Sequence, residues 1–303
     1  MAKVRGKKRK FKRRFGDKLI YGFTTFMLVM LLIVVGYPIV YIISNSFSGS
    51  VAVNTGQVIL WPVDFSLENY AFVFQYKAIW TGLKNTLIVC AISLVLKLFL
   101  TIACAYPLSK PKYQFVKTMT FIFFVTMMFD PGLIPQFLVK SRLGLVGSRW
   151  AVILTGTLSI ANMLILRTAF KGVPKDLYDA ADIDGASHYR QLWHVALPLV
   201  KPTISVLVLY SLVGSWNEYF TSMIYLRDKA LFPLQLVLRT ILISSSSLDM
   251  TGVSNSQMIA MANSSFEGIK YALIVISTVP LLVLYMAIQK SFKGGVMVGS
   301  LKG

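Results

Sequence analysis

The chain has 303 residues, of which 55% are hydrophobic and 14% charged, with a net charge of +19 and a mean hydropathy of +0.65. Soluble domains carry about 25% charged residues, so this much apolar side chain cannot be hidden in one water-facing core and reads as a polytopic membrane protein. The positive charge does not suit nucleic acid: ten of the 31 basic residues crowd into residues 1–18, ahead of the first apolar run, where they fit an anionic membrane leaflet.

The first apolar run, residues 19–43, is about twice as long as a signal-peptide core and has no clean small-residue cleavage site after it. It reads as a retained span. Further spans are expected at residues 85–108, 116–139, 150–170, 203–226 and 271–288, each holding the ~17 residues needed to cross about 30 Å of hydrocarbon. The runs are continuously apolar, whereas strands of a membrane barrel alternate, so the expected fold is an all-α polytopic membrane protein with six transmembrane helices. Counting lysines and arginines with the N-terminus inside gives 21 on the inner side, nine outside and Lys97 within a span. That bias puts both termini in the cytoplasm.

Two outer segments are long. Residues 44–84 include Trp61, Pro62, Asn69 and Tyr70 and are expected to be partly ordered. Residues 227–270 contain ALFPLQLVLRTILI, too short to span and carrying Arg239, which reads as an interfacial or re-entrant helix before the serine run 244–247. Cys90 and Cys104 share one expected helix, where fourteen residues at about 1.5 Å rise hold them roughly 21 Å apart, beyond disulfide reach. His188 and His194 have no cysteine nearby, so no metal site is expected. The divisions are a basic N-terminal segment 1–18, a single six-span transmembrane domain 19–290, and a tail 291–303.

Residues 171–202, KGVPKDLYDAADIDGASHYRQLWHVALPLVKP, read as two helices with a break rather than as a polar linker. Pro174 suits a first helical turn, and Asp176 and Asp179 favour the same positive helix end. Gly185 supplies the break and Ser187 a cap. The second helix would place Tyr189, Leu192, Trp193 and Ala196 on one face before Pro198 ends it. Such a pair suits docking to another protein or lying on the bilayer surface, and helix physics alone does not choose.

The run Asp179-Ala180-Ala181, then Asp184-Gly185-Ala186, then Val195-Ala196-Leu197-Pro198 resembles the EAA motif of ABC importer permeases: E-A-A, a glycine after three residues, and I-x-L-P ten residues beyond it. Asp179 stands for the usual glutamate and Val195 for the usual isoleucine. The resemblance implies a type I importer permease fold and a loop in which Asp179, Ala180, Ala181, Asp184, Gly185, Ala186, Leu192, Val195, Leu197 and Pro198 couple to an ATPase. The phosphate-binding G-x-x-x-x-G-K-[ST] loop is absent. The chain is therefore read as non-catalytic, with no cofactor or metal of its own and with ATP and Mg on the partner ATPase. SFSGS…GQVILWPVDFSLENY, DPGLIPQFLVKSRLGL, SWNEYF, PLQLVLRTIL and QKSFKGGVMVGSLKG resemble the shorter, six-span permease of maltose-type carbohydrate importers, closest to the Gram-positive branch for complex oligosaccharides. The implied partners are a second permease, two ATPase subunits, an extracellular solute-binding (lipo)protein, membrane lipid and an oligosaccharide, in a bacterial plasma membrane. Gly294, Gly295, Gly299, Lys302 and the terminal Gly303 match the family tail that enters the ATPase interface.

Charges inside spans are costly and often functional. Lys97 sits deep in the second span, and Asn217 and Glu218 in the fifth, with depths about 6 Å apart. Lys97 and Glu218 are expected to approach each other or to face one aqueous path. Trp216, Tyr219, Phe220 and Met223 recur at helical spacing and read as packing residues or a sugar-stacking face. Translocation-path candidates are thus Lys97, Trp216, Asn217, Glu218 and Tyr219. A permease for a non-sugar solute and an ion-coupled secondary transporter are the alternatives. The latter would be expected to show repeat symmetry or broken helices, neither evident in the sequence. A membrane scaffold or receptor would call for a larger cytoplasmic segment.

Overall fold

The computed structural model describes residues 15–110, 115–246 and 266–289, which form helices joined by turns, with an isolated β-bridge between Ser48 and Phe65. Among them, three helices are long and apolar enough to cross a membrane, and two further bent pairs raise the number to five at most. The chain divides into two compact units: residues 1–70 with 263–275, and residues 71–262 with 276–303.

In the first unit, α1 (Phe15–Ser46) keeps its large apolar side chains exposed along most of its length, a surface suited to lipid or to another chain. Its last turn is different. Ser44, Asn45, Ser46 and Ser48 are buried and tie down the segment that follows. Ser44 donates to the Leu60 carbonyl at 2.6 Å, and the Ser48 hydroxyl takes the Val63 N–H at 3.1 Å. Asn69 reaches back to the Ser48 carbonyl at 3.2 Å, while Phe47 stacks on Phe65. Gly268 lies so close to Asn69 that a Cβ would sit 2.6 Å from its Nδ2. With α2 (Ser50–Asn54), the segment expected to be partly ordered is thus a folded cap around Ala52, Val53 and Val58.

After α3 (Glu68–Gln75), the second unit is organised around α4 (Lys77–Ser109), whose 33 residues reach about 50 Å. Against α4 pack α8 (Ile160–Lys171), α12 (Lys201–Trp216) and α14 (Leu234–Ser246). Ala105, Tyr106, Met163, Leu166, Phe170, Ala196 and Leu207 form the main core. Gly82 permits the close approach of α14: a Cβ there would meet Leu234 Cα and Val237 Cγ2, each at 3.1 Å.

Three expected spans are not continuous helices. Residues 116–139 divide into α5 (Phe115–Met128) and α6 (Leu133–Arg142), bent by 112°. Pro131 and Gly132 (φ +77°) make the break, and the Asp130 carboxylate takes the Gly132 N–H at 2.9 Å. Residues 150–170 divide into α7 (Arg149–Ile153) and α8, separated by a turn with Gly156 at φ +63° and reopened by the Ser159 cap. Residues 203–226 divide into α12 and α13 (Phe220–Tyr225), although no glycine or proline lies at 217–219. There the Glu218 carboxylate accepts the Thr221 N–H at 2.6 Å and restarts the helix. α14 is the short helix expected in 227–270. α15 (Phe266–Ile288) is the last long helix.

Candidate functional site

The loop 171–202 is a helix pair joined by a turn that its sequence dictates. α9 (Lys175–Ile183) starts one residue after Pro174, which stands as its extended cap rather than in its first turn. At the other end Gly185 has φ +71°, the left-handed conformation in which a Cβ would be strained. The Gly185 N–H donates to the Asp182 carbonyl at 3.1 Å and the Ala186 N–H to the Ala181 carbonyl at 2.9 Å. Together these are the two bonds of a Schellman turn, so the D-G-A run is a helix stop. Ser187 then caps α10 (His188–Gln191), its hydroxyl accepting the Arg190 N–H.

Pro198 does not end the second helix. The chain runs through a π turn at Leu192–Ala196 into α11 (Leu197–Leu199), and only beyond it bends by 80° into α12. Proline has no N–H for the carbonyl one turn back, and the wider turn just before it absorbs the misfit. The four apolar residues expected on one face are accordingly divided. Ala196 is fully buried and Leu192 packs on the main core, but Tyr189 and Trp193 are 80% and 65% exposed. Ile183, at the end of α9, is 87% exposed. Asp179, Ala180, Asp184, Gly185 and Pro198 are exposed, while Ala181, Ala186, Val195 and Leu197 are partly buried. The helix pair thus leaves both large apolar groups and carboxylates exposed on either side of a hydrogen-bonded turn.

Two residues that hold this geometry were not singled out from the sequence. Gln191, only 2% exposed, donates to the Asp182 carboxylate at 2.5 Å and to the Ala186 carbonyl at 3.1 Å, tying the two helices together. Lys110, just past α4, sets its ammonium 3.0 Å from the centroid of Tyr178 and 5.1 Å from that of Tyr106. Burial lowers the Lys110 pKa from its ordinary range, partly offset by the Asp182 charge, and burial raises that of Tyr178. A glutamine in a helix and a lysine after a span carry no local signal of these roles; both arise from contacts across the fold.

The polar candidates within the expected spans gather beside the breaks at 154–159 and 217–219. Lys97 donates to the Ser215 hydroxyl at 3.0 Å, and Glu218 is held by the Thr221 N–H. The two are not ion-paired among the described residues, yet both line one cavity of about 50 Å³ with Ser93, Thr155, Ser215 and Thr221. Lys140 donates to Thr155 and stands over the Tyr225 ring at 4.1 Å. Trp216 is 2% exposed and donates to the Ser277 carbonyl at 3.0 Å, so it packs and presents no open face. Asn217 is exposed at the end of α12, and Tyr219, under Arg239 at 5.0 Å, leaves the helical register at the break. Gly294, Gly295, Gly299 and Lys302 lie outside the described residues.

Residues 6–297 match the family described as binding-protein-dependent transport system inner membrane component. The chain is 36% identical over 294 residues to the Bacillus subtilis (strain 168) polygalacturonan/rhamnogalacturonan transport system permease protein YtcP, covering 96% of this chain and 100% of the relative. It is 35% identical over 266 residues to protein LplC of the same organism, covering 88% and 89%. A crystal structure of a bacterial ABC transporter involved in the import of the acidic polysaccharide alginate superposes with a TM-score of 0.84 at 31% identity, covering 92% of this chain and 99% of that one.

Proposed function

This chain belongs to the family of binding-protein-dependent transport system inner membrane components, and on that premise we propose that it is one permease half of an ATP-driven oligosaccharide importer. It is a multi-pass protein of the bacterial cell membrane and has no catalytic role of its own. Six spans are read as α1, α4, α5 with α6, α7 with α8, α12 with α13, and α15, with both termini cytoplasmic. The loop 171–202 then faces the cytoplasm. The observation that carries the reading is that Ile183, Tyr189 and Trp193, together with Asp179 and Asp184, are left exposed on the two helices that the Schellman turn joins. Large apolar groups held rigidly and left uncovered fit a cleft on an ATPase.

On this reading ATP and Mg bind the two partner ATPases. Their closure pushes the loop, and the loop turns α12 and the core around α4 through Ala196, Leu192 and the Lys110–Tyr178 contact. A second permease completes the path, and an extracellular binding protein delivers the sugar. The tail 291–303 reaches the ATPase interface. Relatives named for polygalacturonan and rhamnogalacturonan, and the alginate importer, support an oligosaccharide over a smaller solute.

The test is to co-express the chain with its genomic neighbours, purify through a tag on it, and measure ATP hydrolysis with binding protein and saccharides. Asp179→Lys combined with Gly185→Pro is the control. Expected are a co-purifying ATPase, stimulation by sugar-loaded binding protein, and loss of assembly in the double variant. If the chain purifies alone, and the variant behaves as wild type, the coupling reading fails. Broken spans are also found in ion-coupled transporters, which that outcome would bring forward.

A further inference from the structure

The layer around this cavity in the second unit gathers two ammonium groups, those of Lys97 and Lys140, about one carboxylate. Lys97 lines the cavity and is held by the Ser215 hydroxyl. Lys140 reaches the same cavity wall through Thr155 and rests against the face of Tyr225. Arg239 approaches from α14 over the ring of Tyr219 but lines a separate pocket with Met223 and Phe232, so it is not counted with them. Glu218 is the carboxylate among them, and it already accepts the Thr221 N–H.

Hydroxyl dipoles and ring faces solvate an ammonium without cancelling its charge. Cations inside a membrane protein face a bundle interior or an aqueous path, and mark what passes through. A neutral sugar would leave the excess positive charge as it is; a sugar carboxylate would balance it by charge-assisted hydrogen bonds. The cavity, about 50 Å³, has room for a few waters or a carboxylate but not for a sugar ring. The ring would therefore stay in the path while its carboxylate enters the wall.

We propose that this layer is a binding site for sugar carboxylates, with Lys97 and Lys140 as its receiving groups, so that the importer passes an acidic, uronate-bearing oligosaccharide. This rests on the importer reading above. Glu218 lines the same cavity and offsets part of the positive charge, which keeps the site from holding an anion too tightly to release it.

The test uses the assembled transporter, with its second permease, ATPases and binding protein, in proteoliposomes. Uptake of an oligogalacturonate is compared with uptake of its methyl ester of equal length, for wild type, Lys97→Met, Lys140→Met and the two Lys→Arg variants. The acid should be taken up and the ester hardly at all. Each methionine variant should lower uptake of the acid about tenfold, the loss of one charge-assisted contact, and each arginine variant should retain most of it. Co-purifying ATPase certifies assembly; should a methionine variant fail to assemble, the corresponding Lys→Gln variant takes its place. Equal uptake of ester and acid, or an unchanged Lys97→Met and Lys140→Met pair, overturns the carboxylate site and leaves the importer reading standing. No ATP-dependent uptake of any saccharide, with no ATPase attached, sinks the importer reading instead.

Discussion

Gly185 offers a measurement in which one atom tests the account of the loop 171–202. Its φ is +71°, and an added Cβ would meet nothing within 4 Å. Steric crowding therefore contributes nothing, and the whole effect of Gly185→Ala is conformational. Holding an L residue in the left-handed region costs about 1–2 kcal/mol. Alanine also restricts the unfolded chain, which returns about 0.4–1 kcal/mol. The net loss is about 1 kcal/mol, roughly a fivefold rise in local opening. Asparagine tolerates this conformation and should lose less, and β-branched valine more. The reporters are the Gly185 and Ala186 amides, which donate to Asp182 and Ala181; hydrogen exchange reads them one by one. Exchange should quicken in the order glycine, asparagine, alanine, valine, while amides of α4 stay unchanged. Alanine and valine exchanging as slowly as glycine would refute the Schellman turn as the element that sets the loop.

Trp193→Ala should leave the thermal stability of the purified chain within about 0.5 kcal/mol, since the side chain is exposed. It should nevertheless weaken ATPase capture by about 2 kcal/mol or more in pull-down titrations, as a central aromatic anchor does. Gln191→Leu strips donors from the Asp182 carboxylate and the Ala186 carbonyl; a loss of about 1–3 kcal/mol is expected, read as a lower melting temperature in detergent. Gly82→Val should separate α14 from α4 at a cost of about 1–3 kcal/mol, and limited proteolysis should then cut near α14 sooner. Lys110→Met should cost about 0.5–2 kcal/mol through the lost ring contact, with Lys110→Arg retaining stability in the same melting assay.

Much of the loop 171–202 was legible because its determinants are local. A glycine that must be left-handed, a serine that caps and acids near a helix start act within a few residues, so the break at Gly185 and the cap at Ser187 stand where the spacing puts them. The fate of its apolar face was not legible. Whether Tyr189 and Trp193 stay bare while Ala196 is buried depends on the π turn before Pro198 and on the core it packs against.

The spans divide along the same line. Hydropathy alone determined that the chain is helical and membrane-bound, and it located α1, α4 and α15, because burial in lipid is a sum over about 20 residues. It could not reveal the breaks in the other three expected spans, since a sum is blind to a turn of three to six residues inside it. At Pro131–Gly132 and Gly156 the punctuation was present but masked by its apolar surroundings. At 217–219 no breaker exists. There the fold decides: Trp216 is anchored to Ser277, Lys97 to Ser215, and Glu218 restarts the helix at Thr221. Residues 61 and 118 positions apart in the chain supply two of those three contacts, and only the tertiary structure brings them together.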